Sequence, residues 1–167
     1  CSFGMLDQTK LNHELIEAWL GSSLARRSEC VMVFVGDCPN PDYRKKLQAL
    51  LKRAGDAATR ITITGFADEA TYRRYLAAAD LGVQLRSRSR GETSAAMADC
   101  LVYGLPLLVN ANGAAAEIPT EIAERLPDVF TVPELTAALE RLFGDEGRRQ
   151  ILRENSLAYT RATIAPF

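Results

Sequence analysis

Short apolar runs separated by helical stretches of ten or more residues leave this chain few folds to adopt. The run Val31, Met32, Val33, Phe34, Val35 is rich in β-branched side chains and ends at Gly36 and Asp37, the pattern of a parallel strand buried on both faces. Similar runs fall at residues 61–64, 81–85 and 105–109, with an opening one at 2–6 and a further one expected at 129–132. Between them the apolar period changes. Leu11, Leu15, Ile16, Trp19, Leu20 and Leu24 share one face of a helix expected over residues 11–24. Asn40 and Pro41 introduce a second over 42–54, since proline suits a first helical turn; others are expected over 68–79, 94–103, 133–143 and 146–159. Parallel strands need long crossovers, and those crossovers are right-handed, so this alternation predicts an α/β, Rossmann-like three-layer domain with a mostly parallel sheet and helices on both faces.

At 167 residues, with no Gly/Ser-rich or Pro-rich linker and no internal repeat, the chain reads as one domain. Its net charge of −1 argues against a generic nucleic-acid binder, which needs clustered excess cation. Cys1, Cys30, Cys38 and Cys100 form no C-x-x-C pair, and His13 is the only histidine. No metal site is expected from these, and the thiols read as small buried side chains of a reducing compartment. Cys/His and Ser-His-Asp nucleophile arrangements would all depend on His13, which lies in a helical pattern. With no run of ~18 apolar residues and no signal peptide, a cytoplasmic location is expected. The abrupt opening at Cys1 suggests a chain cut from a longer one.

Ligands of such sheets bind beyond the carboxyl ends of the strands, where strand order reverses, so the loops after each strand are the place to search. Neither a G-x-G-x-x-G nor a Walker-type P-loop is present. The segment from Arg86 to Ser94 is the most informative. Arg86, Arg88 and Arg90 stand beside Gly91, and either Thr93 or Ser94 can cap the following helix. Guanidinium groups, free backbone amides and the positive end of a helix dipole would then face one crevice, which suits a phosphate. Asp99 lies among Ala98, Cys100 and Leu101, where a carboxylate needs a partner: a ligand hydroxyl, a backbone amide or one of the arginines.

The run from Glu92 to Pro106, with Val109 to Gly113 and Glu117 to Pro119 beyond it, resembles the nucleotide-binding C-terminal domain of the family 4 retaining glycosyltransferases, which have a GT-B fold. Asp99, Gly104 and Pro106 match the second half of that family's motif. Gly36, the segment Thr64, Gly65, Phe66, and Ala78, Ala79, Asp80 match further segments in the right order. The resemblance implies that Lys10 contacts the donor diphosphate, with Arg86 or Arg90 as substitute for an arginine that is absent near Gly4. It implies that Asp99 binds the ribose hydroxyls and that Gly65 and Phe66 line the base pocket. The first acid of the family's E-x7-E pair falls at Gly91 on strict spacing; Glu92 is preferred because Gly91 has no side chain.

These matches imply a donor-binding half, residues 1–167, of a retaining glycosyltransferase whose acceptor-binding N-terminal domain lies outside the chain. The expected substrate is a UDP-, GDP- or ADP-sugar, with no separate cofactor and no metal. The acceptor would be a saccharide or a lipid-linked group in cell-surface polysaccharide or lipopolysaccharide synthesis, with peripheral contact at the inner membrane face. The isolated half should not turn over. The alternative reading is a non-catalytic flavodoxin-like or receiver-like module, which would want acids where the arginines stand. A sugar-nucleotide epimerase would need more histidines and acids than the chain supplies.

Overall fold

A computed structural model describes residues 1–89 and 94–164. Among the described residues six strands and six α-helices alternate as far as β5, after which two elements of a kind follow one another: β1 (Ser2–Phe3), α1 (Asn12–Gly21), β2 (Met32–Val35), α2 (Pro41–Arg53), β3 (Ile61–Ile63), α3 (Glu69–Ala78), β4 (Gly82–Gln84), α4 (Ala95–Val102), β5 (Leu107–Asn110), β6 (Glu124–Leu126), α5 (Val132–Gly144) and α6 (Glu146–Ile164). All strand pairs are parallel, in two ladders, β1-β2-β3 and β4-β5-β6. The ladders meet edge to edge. The Val83 amide donates to the Cys1 carbonyl at 2.8 Å, and the Gln84 carboxamide faces the Phe3 amide at 2.8 Å and the Phe3 carbonyl at 3.3 Å. The order across the molecule is therefore 3-2-1-4-5-6, reversing between β1 and β4, the doubly wound Rossmann arrangement expected from the sequence.

Both faces of the sheet are covered, as the unbroken apolar runs require. Phe34 and Leu108 point into a core shared with Leu15, Trp19, Leu47, Leu135 and Leu139. Their neighbours Val33, Val35, Leu107 and Val109 point the other way, toward Met97, Cys100 and Leu76. Alternate side chains thus feed alternate layers. Helices α1, α2 and α5 build the first layer and α3 and α4 the second, and α6 packs against both α4 and α5.

Two expectations are corrected. The fifth strand does not form at residues 129–132. Val129 is 89% exposed, and Thr131 instead caps α5 through a capping box with Glu134, with Pro133 in the first turn. Reciprocal cap bonds outweigh the β propensity of this four-residue run. The sheet's last strand is Glu124–Leu126, which carries no apolar run; Arg125 anchors it by donating to the carbonyls of Ala116 and Ile118. The first helix also stops short of residue 24. It ends at Gly21, the Ser22 hydroxyl closes back on the Trp19 carbonyl at 2.6 Å, and Ser23–Arg26 continues as a 3-10 turn. Of the thiols, Cys38 and Cys100 are buried, while Cys1 and Cys30 are only partly so.

Candidate functional site

The loops after β1 and β2 cross at very short range. A Cβ on Gly36 would stand 2.2 Å from the Gly4 carbonyl oxygen, so only glycine fits there. Gly4 itself has φ +89. Beyond it the chain forms a 3-10 turn, Gln8–Lys10, capped by Asp7, whose carboxylate accepts from the Thr9 amide at 2.9 Å and the Thr9 hydroxyl at 2.6 Å. Those bonds hold the Asp7 carboxyl below its usual range. The turn brings the Lys10 Nζ over Gly4, 2.9 Å from where a Cβ on that glycine would stand.

On the other side of the reversal, Arg86 follows β4 immediately. The Ser87 amide donates to the Thr9 carbonyl at 2.8 Å, joining the β1 and β4 loops directly. Lys10 and Arg86 wall one crevice, together with Ser94, Met97, Asn110 and Asn112. Burial lowers the Lys10 pKa from its ordinary value, and the nearby Arg86 lowers it further. Ser94 is the N-cap of α4 and accepts from the Met97 amide at 3.4 Å, so the positive end of that helix opens into the same crevice. Two like charges and a helix N-terminus at a switch point can receive a polyanion without any reacting group of the protein.

Lys10, Arg86 and Ser94 are therefore brought together, while Asp99, Gly65 and Phe66, the other described residues singled out by sequence, do not line this crevice. Asp99 stands on α4 but engages α3: its carboxylate accepts from the Tyr72 hydroxyl at 3.0 Å, not from an arginine. Tyr72 packs edge-on against Phe3, and its pKa is raised by burial and by Asp99. Gly65, at φ +71, and Phe66, 88% exposed, form the turn after β3 and do not wall the crevice. Arg90, Gly91, Glu92 and Thr93 lie outside the described residues. His13 is spoken for on α1, where its ring nitrogen lies 3.1 Å from the Tyr43 hydroxyl. Burial pushes the Cys100 thiol up to about 12 and raises those of Cys30 and Cys38, the reverse of what a thiolate nucleophile needs. Among the described residues no three His, Cys, Asp or Glu side chains cluster as metal ligands, and no helix is long and apolar enough to cross a membrane. The acids a receiver-like site would gather are otherwise engaged: Asp7 caps its turn, and Asp37 pairs with Arg44 at 3.3 Å.

Sequence reasoning passed over Asn110 and Asn112 as side chains. Asn110 is 1% exposed at the end of β5, and Asn112 donates to the Asp128 carboxylate at 2.7 Å. The signal was a polar residue closing an apolar strand on the buried side.

The sequence profile of the glycosyl transferases group 1 matches residues 1–145. No curated protein matches the chain. Among solved structures, HepE of Anabaena, crystallised in complex with UDP-glucose, superposes with a TM-score of 0.81 at 20% identity, over 96% of this chain and 44% of HepE. The C-terminal domain of LpcC, a glycosyl transferase group 1 family protein from Francisella tularensis, gives 0.84 at 18% identity, over 99% of this chain and 86% of that one. Sucrose-phosphate synthase from Thermosynechococcus elongatus gives 0.78 at 20%, over 96% of this chain and 40% of the synthase. At these identities the likeness is one of fold. The chain spans less than half the length of HepE and of the synthase.

Proposed function

The chain belongs to the group 1 glycosyl transferases, and on that footing we propose that its crevice receives the diphosphate of a nucleoside diphosphate sugar. Its fold is one Rossmann-like half of a GT-B enzyme. In this reading residues 1–167 are the donor half, and an acceptor half outside them completes the cleft. The observation that carries it is the placement of Lys10 and Arg86 together, beside the N-terminus of α4, where strand order reverses. HepE was crystallised with UDP-glucose and with UDP, and a nucleoside diphosphate suits the charge of this crevice equally.

The chemistry follows from the charge. As the glycosidic bond to the departing diphosphate stretches, negative charge builds on the phosphate oxygens. Lys10, Arg86 and the N-terminus of α4 border the place where that charge forms and would stabilise it electrostatically. Arg90, Gly91 and Thr93 are assigned to the same phosphate. Glu92 is assigned to the donor sugar, Asp99 to the ribose, and Gly65 and Phe66 to the base. Transfer proceeds with retention, without a metal, to a saccharide or lipid-linked acceptor of cell-surface polysaccharide or lipopolysaccharide synthesis. The protein would act in the cytoplasm, in peripheral contact with the inner membrane face.

Isothermal titration of the chain with UDP, GDP and ADP tests this. Binding of at least one, competed by inorganic pyrophosphate, is the expected result. A folded chain that binds none of them at millimolar concentration would leave the reading without support.

A further inference from the structure

We propose that Asn110 is a positioning residue that fixes the backbone of Arg86 at the crevice wall and through it the contribution of Arg86 to diphosphate binding; this rests on the donor-binding reading of the crevice.

β4 ends at Gln84, so the backbone of Arg86 lies beyond the last rung of the β4–β5 ladder. A strand end past its last rung ordinarily frays into solvent. Here the side chain of Asn110 takes over from the missing backbone partner. Its Oδ1 accepts from the Arg86 amide at 2.8 Å, and its Nδ2 donates to the Arg86 carbonyl at 2.7 Å. The second Nδ2 proton goes to the Asp128 carbonyl at 3.0 Å. Both donors and the acceptor of a fully buried carboxamide are thereby used, which fixes its orientation. The next amide, that of Ser87, is tied to the Thr9 carbonyl of the Lys10 turn. Arg86 is thus held by β5 at its own backbone and by the β1 loop one residue later. The backbone of the guanidinium's residue is set relative to Lys10 before any anion arrives, so less of the binding energy is spent on ordering it.

A purely structural carboxamide would satisfy the same buried groups. The two roles separate in a double-mutant cycle, because only a positioning residue acts through the Arg86 side chain. The measurement is the affinity of the chain for whichever of UDP, GDP and ADP it binds best, in the unsubstituted protein, Asn110→Ser, Arg86→Ala and the double variant. Asn110→Ser is expected to weaken binding about tenfold when Arg86 is present and less than about threefold when it is not. Where serine leaves the chain unfolded, Asn110→Thr fills more of the space and is read in the same way. An equal loss in both backgrounds, or no loss in either, overturns the positioning role and leaves the donor site standing. Failure of the unsubstituted chain to bind any of the three overturns the donor reading itself, and this inference with it.

Discussion

Cations stand in two opposite arrangements in this molecule. At the β6 edge, Glu124 receives Arg141 of α5 at 3.1 Å and Arg148 of α6 at 3.2 Å, and Arg148 also donates to the Thr120 carbonyl. One carboxylate there ties a strand to two helices. In the crevice Lys10 and Arg86 are set side by side, and among the described residues Lys10 has no carboxylate within ion-pairing distance. The chain pairs cations with a carboxylate where it closes its own packing and leaves Lys10 without one, beside a second cation, where a ligand would enter. A folded protein tolerates such a gathering at functional sites at the expense of stability.

The largest effect should come from breaking the second arrangement. Lys10→Met removes a cation whose half-buried charged form the fold disfavours, since burial and Arg86 both lower its pKa. Turnover of the full-length enzyme should fall on the order of 10²–10³-fold, with a matching loss of diphosphate affinity. The thermal midpoint of the ligand-free chain should nevertheless rise. A fall in both would place Lys10 among the structural cations and dissolve the contrast.

A pH titration probes the same group without mutation. A bound diphosphate favours protonated Lys10, so its pKa is higher in the complex than in the free protein. Affinity is then complete below the free-state pKa and declines as pH rises through it, by up to about tenfold per pH unit while this group alone titrates. Because burial and Arg86 depress the free-state value, the decline should begin on the acid side of ordinary lysine titration. Lys10→Arg should bind with a flat profile over the same range. A flat profile in the unsubstituted chain would remove Lys10 from the phosphate site.

How far such contrasts can be seen in a sequence depends on how local their causes are. The run Val31 to Val35 and the spacing of Leu15, Ile16 and Trp19 carry β2 and α1 openly, because burial on one face or two leaves a period. The Arg86 to Ser94 segment announces its charge for the same reason: its residues are neighbours in the chain. Glu124–Leu126 leaves no such trace, since an edge strand of this kind is held by Arg125 reaching back to Ala116 and Ile118 rather than by an apolar face. Residues 129–132 misled through their composition, while the bond that decides them, Thr131 to Glu134, is a cap. Asn110 with Arg86 and Tyr72 with Asp99 are 24 and 27 residues apart. Only the packed sheet and helices bring those pairs into contact, so their roles could not be read from spacing.

The smallest effect sharpens the comparison from its other side. Glu124→Gln removes the charge that Arg141 and Arg148 share, and Glu124 is mostly buried while the arginines are more open. Partly solvated pairs of this kind contribute little each, so the fold should lose about 1 kcal/mol. That corresponds to a fall of roughly 2–4 °C in thermal midpoint for a chain of this length. Diphosphate affinity should not move, because the β6 edge shares no residue with the crevice wall. Thermal unfolding with titration of the same samples decides it. A stability loss with unchanged affinity here, beside a stability gain with lost affinity at Lys10, would establish that the two sets of cations answer to different demands. An affinity loss at Glu124→Gln would mean that the paired charges also support the crevice, through α5 and the Asp128 carbonyl that Asn110 holds.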